Sequence, residues 1–168
     1  MASNRLGIAN GLVSLLAGIT NPNTSQPLYG TVVLGALFNP SVGYASWGQV
    51  SFLQGTSGPA GSGGNLIGWR IKDDIVLPIT SGWDYETDSA TAMTSMFTTH
   101  DILMPILHSH PTIPDPNNPT IAIASVYSVL EELPDRAVPV RVPNGHMWLL
   151  WHVFVLIKQQ YNVLLQSP

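Results

Sequence analysis

The spacing of apolar positions predicts a helix near the start of the chain. Residues 6–19 carry apolar side chains at positions 8, 12, 15, 16 and 19, which lie on one helical face. Ser3 or Asn4 can cap the first turn, and Asn21-Pro22 ends the helix.

A second helix is predicted from about Ala90 to Leu107. Asp88 and Ser89 precede it and are good N-terminal caps, while Pro105 loosens its last turn. Its inner side is expected to carry the larger apolar residues, namely Met93, Met96, Phe97, Leu103, Met104 and Leu107.

Extended segments surround the second helix. Alternation and β-branched or aromatic content predict strands at 28–38, 44–53, 66–85 and 121–130. Pro78 places the third of these near a sheet edge or a bulge. The segments 54–65, rich in Gly and Ser, and 110–120, with four prolines, are predicted to be loops, the first of them flexible.

The clearest local signal is a hairpin near the end of the chain. Segments 137–142 and 146–163 flank Pro143-Asn144-Gly145, and an Asn-Gly pair between two strands is typical of a tight turn. Residues 147–157 are apolar at nearly every position, which predicts a strand covered on both faces, by helices or by another subunit. The whole chain, 1–168, is therefore predicted to be one α+β domain, a mainly antiparallel sheet with two helices packed on it.

The composition adds an anomaly, which is missing charge. Charged residues make up 10% of the chain, against about 25% in ordinary soluble proteins. A chain with so few surface charges is expected to hide part of its surface against other subunits. The longest strongly apolar run is about half of a membrane-spanning helix, and the six Lys and Arg form no basic stripe. No membrane association, sequence-specific nucleic-acid binding, metal or cofactor is predicted.

The charges are also segregated along the chain. All ten acidic residues lie between Asp73 and Asp135, and none of the six basic residues falls inside that stretch. This segregation predicts surfaces of opposite sign, which either meet a neighbouring copy or repel a polyanion.

One motif points to metal chemistry. His108-Ser109-His110-Pro111 places two histidines where they can share a zinc ion, and it resembles the metal-binding core of the JAMM-type metalloproteases. In that family an aspartate follows at a fixed spacing, whereas Asp115 comes too early here and Ser125 has no acidic residue three positions later. A helix end that breaks into a proline-rich segment is the favoured interpretation, and a zinc hydrolase using His108 and His110 is the alternative.

Other polar groups have structural interpretations beside the chemical ones. Asp84, Glu86 and Asp88 alternate on an extended segment, so they can hold a hard cation or act as an acid/base pair, but a strand end that runs into a helix cap is the favoured interpretation. His146 and His152 fall on one face of a strand and are interpreted as packed or interface histidines. No catalytic residue is predicted, and we expect a protein without enzymatic activity.

The order of elements resembles that of the tail terminator, or tail completion, proteins of long-tailed bacteriophages. Two segments carry the resemblance after the first helix and strand pair. They are WRIKDDIVLPITSGWDYETDSATAMTSMFTTHDILMPIL, a strand passing into a helix, and SVYSVLEELPDRAVPVRVPNGHMWLLWHVFVLIKQQYNV, a strand followed by the hairpin. Related neck and head-tail joining proteins share this element order.

The resemblance implies a structural virion protein, assembled in the host cytoplasm and located at the neck or tail. Its copies would form a ring, hexameric in that family, that ends the tail tube, contacts the tail tube protein and the head connector, and passes DNA without sequence-specific binding. The acidic residues then expected at the lumen or at an interface are Asp73, Asp74, Asp84, Glu86, Asp88, Asp101, Glu131, Glu132 and Asp135.

Overall fold

The fold is one mainly antiparallel sheet with two helices. The computed structural model describes residues 4–35, 45–52, 54–59, 68–131, 137–141 and 145–164, and only the backbone of 54–59, 68–72 and 160–164. The helices are α1 (Arg5–Ala17) and α2 (Ser89–His108). The strands are β1 (Val32–Leu34), β2 (Ser46–Val50), β3 (Gln54–Pro59), β4 (Gly68–Asp84), β5 (Thr112–Asp115), β6 (Asn118–Glu131), β7 (Val138–Arg141) and β8 (Met147–Leu164). The predicted α+β class is confirmed.

Two long strands, β4 and β8, form the centre of the sheet. They pair antiparallel along their whole length, from Gly68 opposite Leu164 to Asp84 opposite Trp148. The other side of β4 pairs with β3 and β2, and the other side of β8 pairs with β7 and β6. β1 extends the sheet parallel to β2, and β5 extends it antiparallel to β6.

Burial alternates along the central strands and defines two faces. The odd-numbered residues from 73 to 83 of β4 and from 149 to 157 of β8, such as Ile75, Leu77, Val153 and Val155, are fully buried or nearly so. We call this the inner face, because both helices pack on it and share one apolar core with these side chains. Among the described residues, no helix covers the opposite, outer face, which carries the even-numbered positions.

The sheet curls around α1. This helix packs against β5 on one side and against β1 and β2 on the other, although these strands lie at opposite ends of the strand order. Gly11 permits the close approach, since a Cβ there would lie 2.3 Å from the Pro114 carbonyl oxygen. Ile8, Leu12 and Leu16 project from α1 into the core and are fully buried.

The predicted caps and the final hairpin are confirmed. The Asn4 side chain accepts a hydrogen bond from Gly7 N at 3.0 Å, and Asp88 accepts one from Thr91 N at 3.0 Å. β7 pairs with β8 beside Gly145, whose φ of 86° lies in the left-handed region. The turn residues 142–144 lie outside the described part of the chain.

Two predicted loops contain strands instead. Residues 54–59 of the predicted loop 54–65 form β3, whose backbone pairs with β4, and 60–65 lie outside the described residues. The proline-rich segment 110–120 contributes β5 and the first residues of β6, which pair as an irregular hairpin. Both predictions failed for the same reason: β3 and β5 are short strands at the margin of the sheet, where Gly and Pro are tolerated.

Pro78 does not mark an edge strand, because β4 lies at the centre of the sheet. β3 pairs with β4 up to Val76, and β2 pairs with it from Ile79 onward. The Pro78 carbonyl points to the edge of β4 that pairs with β2 and β3, and it accepts a hydrogen bond from Ser51 N at 3.0 Å. In an antiparallel strand the N–H and C=O of one residue point the same way. The missing N–H of Pro78 therefore falls at the break between β3 and β2.

Candidate functional site

The acidic residues were the sequence's main candidates, and the structure scatters them. Asp73 lies on the inner face of β4 with its carboxylate fully buried, where the Arg5 side chain binds it. It belongs to the core, so its predicted place at a lumen or an interface is wrong. Asp74 lies on the outer face, opposite Lys158 in register. Glu132 and Asp135 lie outside the described residues.

A histidine bridges two carboxylates at the corner between β4 and α2. His146 Nε2 lies 2.8 Å from Asp84 Oδ1, and His146 Nδ1 lies 3.3 Å from Glu86 Oε2. The Glu86 carboxylate also accepts from Met147 N at 2.9 Å. The corner after β4 is thereby fastened to the first residue of β8, which is a structural role for a group that the sequence also offered as a cation site.

The pKa of Asp84 reflects this environment. Burial alone would raise the pKa, but hydrogen bonds from the amide and hydroxyl of Thr87 and from His146 outweigh it, so the pKa lies below its ordinary value. At the start of α2, hydrogen bonds from the Thr91 hydroxyl and amide likewise lower the pKa of Asp88. Both carboxylates are held ionised at neutral pH.

A second histidine bridges two carboxylates beside α2. His100 Nδ1 lies 3.1 Å from Asp101 Oδ1, and His100 Nε2 lies 3.1 Å from Glu131 Oε2 on β6. Its ring meets Trp151 edge-on at 5.5 Å between centroids. The Asp101 side chain remains 79% exposed, so it contributes negative charge to the surface of the helix layer.

The two histidines of the predicted zinc motif do not converge with a third ligand. His108 is the exposed last residue of α2. His110 has a left-handed φ of 55°, and its Nδ1 lies 3.1 Å from the Val126 carbonyl oxygen. Within the part of the chain that the structure describes, no three His, Asp or Glu side chains are grouped as a metal site requires. The zinc hydrolase stays a hypothesis without an observation in its favour.

A cleft of about 400 Å³ opens between residues 21–28 and α2. Its lining is rich in hydroxyl groups, two of which donate locally: Thr91 Oγ1 donates to Asp88, and Thr98 Oγ1 donates to the Thr94 carbonyl. The carboxylates of Asp84 and Asp88 also line the cleft, and they suit donors and cations better than anions.

The outer face of the sheet carries an apolar surface that the described residues leave partly open. On β8 the outer-face residues Leu150, Phe154 and Leu156 are half-buried, although Trp148 is fully buried, and strands β6 and β7 add two strongly exposed side chains, Leu130 (70%) and Val138 (59%). We call the following residues the sheet patch: Leu130, Val138, Leu150, Phe154 and Leu156. Register places Leu130 opposite Phe154, and Val138 opposite Leu150, so the patch extends over β6, β7 and β8, with His152 between its two parts.

A second apolar surface lies on α2, where the sequence prediction was wrong. Met93 and Phe97 were expected on the inner side, yet each is 44% exposed, while the smaller Ala92 and the polar Thr99 are buried. The other four predicted inner residues are buried, namely Met96, Leu103, Met104 and Leu107. The prediction therefore failed only in the first half of the helix, where it favoured the larger apolar residues over Ala and Thr.

Comparison with known proteins leaves the family open. No family model matches the sequence, and no curated protein matches it either. In the described residues, neither helix is long and apolar enough to cross a membrane.

Proposed function

We propose that this protein is a structural virion subunit whose copies form a ring at the top of a phage tail tube. The ring ends polymerisation of the tube, joins the tail to the head connector and lets DNA pass through its lumen. It acts by assembly and involves no catalytic step.

The observation that carries the proposal is the outer face of the sheet, which no helix among the described residues covers. The central strand β8 places half-buried apolar side chains there, and exposed Leu130 and Val138 extend them. A chain with 10% charged residues has little to compensate for such a surface in water. Cover by other subunits accounts for both features at once, and it agrees with the family resemblance of the element order.

Exposed carboxylates support the passage of DNA. Asp101 is 79% exposed, the Glu86 side chain is 46% exposed, and Asp88 is exposed at the start of α2. If these carboxylates line a lumen, they repel the phosphate backbone and keep the duplex from adhering. Asp73 has no part in this, because its carboxylate is inside the core.

Mass measurement tests the ring directly. Light scattering on the purified protein is expected to give one discrete oligomer, a hexamer by the resemblance, whose mass holds on dilution. Mixed with tail tubes, the protein is expected to appear in electron micrographs at one end of each tube and to stop its growth. A protein that stays monomeric at all concentrations and binds no tube would refute the proposal.

A further inference from the structure

We infer that the sheet patch of one copy receives helix α2 of the next copy in a head-to-tail contact. The inference rests on the proposed ring and names the two surfaces that build it. The α2 surface, called the α2 ridge, consists of Met93, Phe97 and Asp101.

The two surfaces lie on opposite sides of the sheet. Leu130 pairs with Phe154, an even-numbered residue of β8, and therefore belongs to the outer face. Helix α2 packs on the inner face, where His100 contacts Trp151, an odd-numbered residue of β8. One copy thus cannot cover its own patch with its own ridge, whereas a second copy can.

The surfaces differ in shape and chemistry in a complementary way. A helix flank with side chains at i and i+4 forms a ridge, and a sheet offers a broad apolar face for it. Met93 and Phe97, each 44% exposed, supply the apolar contact from the helix, and Leu130, 70% exposed, supplies it from the sheet. Each side therefore has side chains that lose water only when the other arrives.

The charges favour a contact between the ridge of one copy and the patch of another over a contact between two ridges or between two patches. The ridge carries Asp101, and the outer face beside the patch carries Lys158, whose ammonium lies 3.4 Å from the centroid of the Tyr127 ring. A contact between two ridges would bring the Asp101 residues of two subunits together, and a contact between two patches would do the same for Lys158. Asp74 lies opposite Lys158 on the same face and offsets part of its charge. Even so, Asp101 of the ridge approaches Lys158 only when the ridge of one subunit docks on the patch of another.

A contact between two different surfaces does not stop at two copies. Every added subunit leaves one free ridge and one free patch, so association continues until the rotation between neighbours closes a ring. This is the geometry that the proposed function requires.

Two variants that each disable one surface test the inference. Phe97→Lys removes the apolar ridge and brings a cation toward Lys158, and within the helix it is compatible with Asp101 four residues later. Leu130→Glu removes the most exposed residue of the patch and brings an anion toward Asp101. Each variant alone is expected to associate at least roughly tenfold more weakly than the wild type, and to run as a monomer in light scattering at concentrations where the wild type forms the ring.

Mixing the two variants gives the decisive result. The Phe97→Lys copy keeps an intact patch and the Leu130→Glu copy keeps an intact ridge, so an equimolar mixture is expected to regain complexes with equal numbers of both. Native mass spectrometry reads this ratio. A mixture that stays monomeric overturns the inference, and so does a single variant that keeps the wild-type mass.

Matched controls distinguish the loss of this contact from misfolding and from the absence of a ring. Leu6→Lys on α1 and Ile121→Glu on β6 change side chains that are 61% and 51% exposed but lie outside both surfaces, and these variants are expected to keep the wild-type mass. All four variants should show the far-ultraviolet circular dichroism of the wild type and unfold cooperatively on heating, and the two that lose the contact should lose only the thermal stability that assembly provides. A monomeric wild type overturns both the ring and the contact, whereas an oligomer that survives Phe97→Lys overturns the contact and leaves the ring standing.

Discussion

The side chain of Arg5, at the start of α1, binds the carboxylate of Asp73 across 68 positions of sequence, with Arg5 Nε 3.0 Å from Asp73 Oδ2. Asp73 is fully buried on the inner face of β4, while the Arg5 side chain is 39% exposed. The pair therefore ties the first turn of α1 to the central strand, and the only basic residue before residue 70 is used inside the fold.

We expect Arg5→Met to lower the free energy of unfolding by roughly 2 to 3 kcal/mol, because it leaves a buried carboxylate without its guanidinium. Chemical denaturation measures this. In Arg5→Met/Asp73→Leu most of the loss should return, since the buried charge is gone as well. Arg141→Met, on an exposed strand end, serves as the control and should change stability by less than about 0.5 kcal/mol. Equal losses from Arg5→Met and Arg141→Met would contradict the assignment.

The lowered pKa of Asp84 predicts a pH dependence of stability. Its folded pKa lies below its unfolded value of about 3.9. The stabilisation is therefore complete above pH 4 and is lost as the pH falls through the lower, folded pKa. The free energy of unfolding, measured by denaturation between pH 2 and 6, should depend less on pH in Asp84→Asn than in the wild type. Thr87→Val, which removes one donor, should reduce the pH dependence partly. The idea fails if Asp84→Asn follows the wild-type curve.

Asp88 is expected to matter as a helix cap. Asp88→Ala removes the acceptor for the Thr91 amide and hydroxyl and should clearly lower the urea concentration at the midpoint of unfolding. Asp101→Ala changes an exposed carboxylate in the middle of the same helix and should cost less than about 0.5 kcal/mol. Urea unfolding of both variants provides the comparison, and a cost at Asp101 equal to that at Asp88 would argue against the cap.

Two glycines in paired strands are expected to respond in opposite ways to alanine. A Cβ on Gly82 would lie 2.3 Å from Trp47 Cε2, in an indole that is 3% exposed and has little room to move. We expect Gly82→Ala to destabilise the protein by about 1 to 3 kcal/mol. At Gly48 a Cβ meets Tyr29 at an ordinary 3.5 Å, so Gly48→Ala should be neutral or stabilising by a few tenths of a kcal/mol. Thermal unfolding decides between them, and a tolerated Gly82→Ala would mean that Trp47 does not pack there.

Local patterns in the sequence were enough to predict the elements that local physics determines. Caps at Asn4 and Asp88, the Asn-Gly hairpin and the alternation along β4 each depend on neighbours within a few residues. The strands β3 and β5 were missed although each pairs with the next strand of the chain, because their Gly and Pro residues are typical of loops and backbone pairing at a sheet margin needs no apolar period. Asp73 shows the same limit for the candidate site. Its sequence neighbours, Lys72 and Asp74, suggest a charged surface, and only the fold brings Arg5 to it.

The pairing of β4 with β8 also constrains how the chain reaches its native state. The ladder joins residue 84 to 148 and residue 68 to 164, so a long stretch of polypeptide must be closed into a loop before the sheet has a centre. High contact order of this kind slows folding toward the millisecond-to-second range. Until β8 arrives, one side of β4 offers an unpaired edge to other nascent copies. Chaperones, or a low concentration of nascent chains, are therefore expected to affect the yield of soluble protein more than the stability of the folded state does.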